Sequence, residues 1–130
     1  MIVVDASAML EVLLRTPAAE AVEAWLYFPG QTLHAPHLLD VEVAQVIRRC
    51  AALGDIDEAR GRAALSDLLD FPVTRYPHDL LLPRVWELRG NLSAYDAVYI
   101  ALAEALDAPL LTLDQRLAAA PGHDARIAQV

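Results

Sequence analysis

Ile2-Val3-Val4 is wholly apolar and runs straight into Asp5, and Leu110-Leu111-Thr112-Leu113, nearly as apolar, runs into Asp114. Short apolar runs without polar alternation are the pattern of strands buried on both faces. Amphipathic helical stretches lie between them, and short buried strands alternating with such helices predict a parallel sheet covered on both sides. In an open sheet of that kind the carboxyl ends of the strands lie along one edge, and ligands bind there. Asp5 and Asp114 are thereby assigned to that edge.

The rest of the chain follows the same alternation. A helix is expected from Ser7 to Leu14. A second opens at Thr16-Pro17, with Thr as N-cap and Pro at the first helical position, and runs to about Leu26. Pro29-Gly30 is a turn, Thr32 to Ala35 a strand stopped by Pro36, and Leu38 to Leu53 the longest helix, with Leu39, Val43, Val46, Ile47 and Cys50 inward and Gly54 as C-cap. Asp55 or Asp57 caps a helix reaching Leu69, and Val73 to Tyr76 is a strand. A helix spans about Asp79 to Arg89, ended by Gly90, with Pro83 tolerated near its first turn. Ser93 caps a helix to Leu106 with Ala97, Ile100, Ala101 and Ala105 inward. Leu110 to Thr112 is a strand, Gln115 to Ala120 a helix, and Arg126 to Val130 the last strand.

A chain of 130 residues has room for one domain, residues 1–130, and at 56% hydrophobic it can bury a core without disulfides. The single cysteine, Cys50, reads as a small buried hydrophobe in a reducing compartment. No apolar run approaches the ~18 residues of a membrane span, and no secretory leader pattern opens the chain, so the expected location is cytoplasmic without membrane attachment. The net charge of −8 argues against nucleic-acid binding unless the acids are grouped. Assigning four of the eighteen acids to a site leaves −4 for the rest. All ten basic residues are Arg, with no Lys.

Two further acids join Asp5 and Asp114 at junctions of the same kind: Glu42 in Asp40-Val41-Glu42-Val43 and Asp96 in Ser93-Ala94-Tyr95-Asp96-Ala97. Singly, each has a plain structural explanation. Asp96 with Ser93 is a capping box, Asp114 and Asp40 are helix caps or first-turn charges, Glu42 is a solvated helix residue and Asp5 closes a strand. Together they form a set of carboxylates that repel unless a cation neutralises them. Hard oxygen ligands suit Mg²⁺ or Mn²⁺, and a cluster of this kind is the usual apparatus for cutting phosphodiesters. Thr112 is placed to hydrogen-bond a carboxylate or a water, although backbone satisfaction of its hydroxyl is the commoner outcome.

The order Val-Val-Asp5-Ala-Ser-Ala, Pro36-His-Leu-Leu-Asp-Val-Glu42-Val, Asn91-Leu-Ser-Ala-Tyr-Asp96-Ala and Leu-Leu-Thr-Leu-Asp114 resembles the PIN-domain nucleases, and in particular the VapC toxins of type II toxin–antitoxin pairs. The resemblance spans essentially the whole chain. It implies a three-layer α/β/α sandwich with a central parallel sheet, and an Mg²⁺-dependent endoribonuclease with Asp5, Glu42, Asp96 and Asp114 as catalytic metal ligands. Asp5 and Asp96 lead that set, and Ser7 and Thr112 support it. It further implies an RNA substrate, a VapB-type antitoxin and a homodimer. A housekeeping RNA-processing nuclease and a non-catalytic PIN-like scaffold are the alternatives.

Other classes fail on particular residues. A receiver domain needs paired acids after strand one and a Lys, and a P-loop needs Gly-x-x-x-x-Gly-Lys, so the absence of Lys excludes both. A haloacid-dehalogenase-like phosphatase wants Asp-x-Asp where this chain has Asp5-Ala6-Ser7. His34, His37, His78 and His123 lack ligand spacing and read as surface or capping residues. Arg48, Arg49, Arg60 and Arg62 read as solvated helix charges before RNA contacts. Trp25, Tyr27 and Trp86 are expected in the core or an interface, and Tyr95 at the cleft or packed under its helix.

Overall fold

The computed structural model describes residues 1–130. Its central strand, β1 (Ile2–Val4), is fully inaccessible to solvent. It is flanked by β2 (Leu33–Pro36) and β4 (Leu110–Thr112), with β3 (Val73–Tyr76) outside β2 and β5 (Ile127–Gln129) outside β4. Every pairing is parallel, in the order β3-β2-β1-β4-β5. From β1 the chain crosses to β2 and outward to β3, then returns to the other side of β1 for β4 and β5. The order therefore reverses beside β1, and a crevice opens beyond the carboxyl ends of β1 and β4.

Strand alternation divides the core. Ile2, Val4 and Leu111 face one layer, built from α1 (Ala6–Leu13), α2 (Ala19–Leu26), α3 (Leu38–Ala52) and α4 (Glu58–Asp70). Val3 and Leu110 face the other, built from α5 (Leu82–Glu87), α6 (Ala94–Leu106) and α7 (Gln115–Ala119). The expected three-layer sandwich is the observed one. Each fully buried aliphatic side chain stabilises it by roughly 1.5–3 kcal/mol.

Several local expectations need correction. Thr16 does not cap α2: the helix begins at Ala19 behind Ala18, which offers no side-chain cap, and the Thr16 hydroxyl turns back to the Glu11 carboxylate. The helix expected over 79–89 is a 3₁₀ turn (Asp79–Leu81) followed by α5, because Pro83 falls in the first turn of α5, where its missing N–H is harmless. Gly90 adopts no left-handed conformation, whereas Gly54 ends α3 with φ +79° as expected. In α6 every residue from Ala97 to Ala103 is buried, while Ala105 is exposed. Val46 and Cys50 on α3 are only half-buried.

Of the two caps offered for α4, Asp57 serves, accepting from Arg60 N at 2.7 Å. Asp40 belongs to the fold: its Oδ2 accepts from Arg75 Nε at 2.8 Å, tying the start of α3 to β3. His34 is buried in β2 and hydrogen-bonded to Thr32 and Tyr76, so it is not a surface residue. His78 does cap, accepting from Leu38 N at the start of α3. Trp25, Tyr27 and Trp86 are exposed, which removes the core reading for all three.

Candidate active site

Four helix N-termini surround the crevice, and each carries one of the four acids. Asp5 leaves β1 and is at once the N-cap of α1, and Asp114 is the N-cap of α7 two residues beyond β4. Asp96 lies in the first turn of α6 and Glu42 in the second turn of α3. The plain capping explanation holds for Asp114, and Asp5, which closes β1 as expected, caps α1 as well; neither displaces the site reading. Backbone N–H groups at a helix start are the partners that keep a carboxylate charged in a buried place.

Asp5 is the most constrained, at 4% exposed. Its Oδ1 accepts from the Ser7 hydroxyl at 2.6 Å and from Ala8 N at 3.0 Å, and its Oδ2 accepts from the Thr112 hydroxyl. Ser7 Oγ accepts from Leu113 N at 2.9 Å and Thr112 Oγ1 from Asp114 N at 3.0 Å, so the two hydroxyls stitch the end of β1 to the end of β4. Thr112 thus serves backbone and carboxylate together.

The other three acids keep unused oxygens. Asp114 Oδ1 accepts from Arg116 N and Leu117 N, leaving Oδ2 free. Glu42 Oε1 accepts from the Tyr99 hydroxyl at 2.6 Å, leaving Oε2 free. Ser93 Oγ accepts from Asp96 N at 3.2 Å, which forms half of the capping box.

Burial and like charge act in concert. Burial raises the pKa of Asp5 above the ordinary carboxylate range, partly opposed by its hydroxyl and backbone donors, with the Asp114 charge adding to the rise. Burial raises Glu42 against the Tyr99 hydrogen bond, and the charges of Asp96 and Asp5 raise it further. Asp96 is raised by burial and by Asp114, and Arg116 partly offsets this. The four carboxylates therefore bear on one another electrostatically. No three of them are drawn in far enough to share one ion, as expected of like charges with no cation between them.

Two residues of this neighbourhood carry no motif of their own. Tyr99, 2% exposed, lies one turn after Asp96 within the buried face of α6. A phenol in such a run must send its hydroxyl to a partner, and that requirement is the sequence signal for it. Burial and the bonded Glu42 push its pKa far above the usual phenol range, so it stays a neutral donor. Arg116 is exposed on α7 beside Asp114. By contrast Arg60 donates to Leu13 O, Arg62 pairs with Glu58 and Arg48 bonds Gln45, which leaves these three as fold or surface charges. Tyr95 is exposed at the start of α6 rather than packed beneath it.

Residues 2–122 match the PIN domain model. The Ribonuclease VapC9 of Mycobacterium tuberculosis is 50% identical over 117 residues, covering 90% of this chain and 88% of that protein. The Ribonuclease VapC1 of the same species is 47% identical over 121 residues, covering 92% and 90%. The crystal structure of VapBC2 from Rickettsia felis bound to a DNA fragment from its promoter superposes with a TM-score of 0.75 at 13% identity, covering 100% of this chain and 99% of that one, a likeness of fold alone. The chain belongs to the PIN-domain family, among its VapC ribonucleases. Ribonucleases of the PIN domain are generally divalent-metal dependent.

Raised carboxyl pKa values fix the sign of a pH effect. A native state that holds these protons more tightly than the unfolded chain gains stability as pH falls through the raised values towards the unfolded 3.8 for Asp5 and Asp96 and 4.5 for Glu42. In EDTA at pH 7, Asp96→Asn should raise the melting temperature by on the order of 2 °C. The gain should shrink as pH is lowered towards 4, where the wild type takes up the proton itself. A variant that melts below wild type at pH 7 contradicts mutual repulsion.

Proposed function

We propose that this chain is the endoribonuclease toxin of a type II toxin–antitoxin pair and that it hydrolyses RNA phosphodiesters at the Asp5, Glu42, Asp96 and Asp114 site with Mg²⁺ or Mn²⁺. The observation that carries the reading is the gathering of four carboxylates at the switch point with free oxygens on Glu42, Asp96 and Asp114. The donor set is hard oxygen throughout, which fits these ions. A divalent ion, when bound, supplies the Lewis acidity that acidifies a water and stabilises charge on the phosphate. Ser7 and Thr112 hold Asp5 in place, and Asp96 and Asp114 offer their unused oxygens from the starts of α6 and α7. The exposed Arg116 guanidinium is available to RNA phosphate.

Cleavage of total cellular RNA tests this directly. Wild type should cut in Mg²⁺ and stop in EDTA, Asp96→Asn should not cut, and expression of wild type alone should arrest growth while Asp96→Asn does not. EDTA-resistant cleavage overturns the metal reading. Well-folded wild type that cuts RNA without arresting growth favours the housekeeping alternative.

For the antitoxin, the structure offers a groove of about 730 Å³ between α1, α2 and the end of α4, floored by Val12, Leu13 and Phe71 and rimmed by Glu20, Glu23, Asp67 and Asp70. None of the four site acids lines it. A VapB-type partner of basic, amphipathic character thus has two footholds, a helix in the groove and an Arg at the carboxylates. Raising Mg²⁺ should weaken such a complex more than monovalent salt of equal ionic strength. Equal weakening means that the partner leaves the carboxylates untouched.

A homodimer is proposed on the exposed run of Leu80, Leu82 and Trp86. Light scattering should give twice the chain mass, and Trp86→Glu should halve it. A monomeric wild type contradicts this.

A further inference from the structure

Glu42 carries the longest and most rotatable side chain of the four acids, and it stands on a helix rather than at a strand end. Asp5 is fixed by two hydroxyls and a backbone N–H, and Asp114 by two backbone N–H groups. Glu42 has one hydrogen-bond donor from the protein, the Tyr99 hydroxyl, at 2.6 Å across 57 residues of chain. Tyr99 is itself held: its ring lies in the apolar layer with Val98, Ile100 and Leu102, and it is 2% exposed.

We propose that Tyr99 is a positioning residue whose hydroxyl tethers Glu42 by Oε1 and leaves Oε2 presented for a divalent ion. The inference rests on the reading of Glu42 as part of the metal site. A phenol suits the task because it donates a hydrogen bond without a positive charge. An Arg or Lys in its place would hold the carboxylate but neutralise the charge that a cation needs. The geometry parallels Ser7 and Thr112 on Asp5, so three uncharged hydroxyls hold two of the acids, and the one from Tyr99 reaches Glu42 from the opposite layer. Partners of this kind tune metal affinity by orienting ligands they do not replace.

The test compares wild type, Tyr99→Phe, Glu42→Ala and the double variant. Mn²⁺ binding is followed by electron paramagnetic resonance of the free ion, and RNA cleavage is measured across Mg²⁺ concentrations. Phe keeps the ring in the core and removes only the hydroxyl. Tyr99→Phe should bind Mn²⁺ about tenfold more weakly and shift the Mg²⁺ midpoint for cleavage by a similar factor, with KM for RNA unchanged at saturating Mg²⁺. A loss of packing would instead lower activity at every Mg²⁺ concentration. In the Glu42→Ala background, Tyr99→Phe should change Mn²⁺ affinity no further.

A measurement on wild type alone decides the matter if Tyr99→Phe fails to fold. The Tyr99 ¹³Cζ resonance, which reports on its hydroxyl's acceptor, should move on addition of Mg²⁺ while that of Tyr76, bonded to His34, stays. Unchanged Mn²⁺ affinity in folded Tyr99→Phe, a full additive loss in the Glu42→Ala background, or an unmoved Tyr99 signal overturns the tether while leaving the metal site standing. Wild type that binds no Mn²⁺ overturns the metal site and the tether with it.

Discussion

Placing several carboxylates at the end of a buried sheet sets the terms for everything around them. Asp5 can be almost fully buried only because α1 begins there and offers Ala8 N, and because Ser7 and Thr112 turn their hydroxyls inward. A buried carboxylate without such donors would take up a proton instead. The donors come from both sides of the switch point, so the hydrogen bonds that oppose the effect of burial on Asp5 also join β1 to β4. Fold and site share these bonds. Burial first and the neighbouring charges second raise the pKa values of Asp5, Glu42 and Asp96, and the charge contribution is what a divalent ion would relieve.

The charge balance of the chain fits this arrangement. With no Lys and a net charge of −8, attraction for a polyanion would have to come from cations bound at the site and from exposed Arg side chains. Several Arg side chains are committed to the fold: Arg75 to Asp40, Arg84 to Glu104, and Arg60 to the carbonyl end of α1. Arg116 stands apart from these, exposed beside Asp114 and close enough to bear on Asp96. Glu20, Glu23, Asp67 and Asp70, with Arg15 among them, line the groove beside α1 and α2 and make a second, mainly acidic surface away from the crevice.

The layers and the four acids were legible because their signals are local. An apolar tripeptide ending in Asp reads as a buried strand meeting the sheet edge, and in β1 it is one. Long-range pairings were not legible. Tyr99 looks like one more residue of a hydrophobic helix until Glu42 stands opposite it. His34 becomes a core residue only because Tyr76 and Thr32 arrive on either side of its ring. Helical periodicity placed Ala105 inward and left Val98 and Leu102 unmarked, because it assumes one buried face. The first part of α6 is enclosed nearly all round and its last turn is not. Thr16-Pro17 has the composition of a helix start, yet its hydroxyl found Glu11 first. The exposed Trp25 and Trp86 show the limit of reading burial from residue type alone.

The central claim is that these four carboxylates form one electrostatically coupled site built for a divalent cation. Side-chain ¹³C titration of the carboxyl groups, without and with Mg²⁺, measures it most directly. The account predicts that Asp5, Glu42 and Asp96 titrate above the ordinary carboxylate range without metal and that all three fall when Mg²⁺ is added. Titration of those three at ordinary values, indifferent to Mg²⁺, would contradict it.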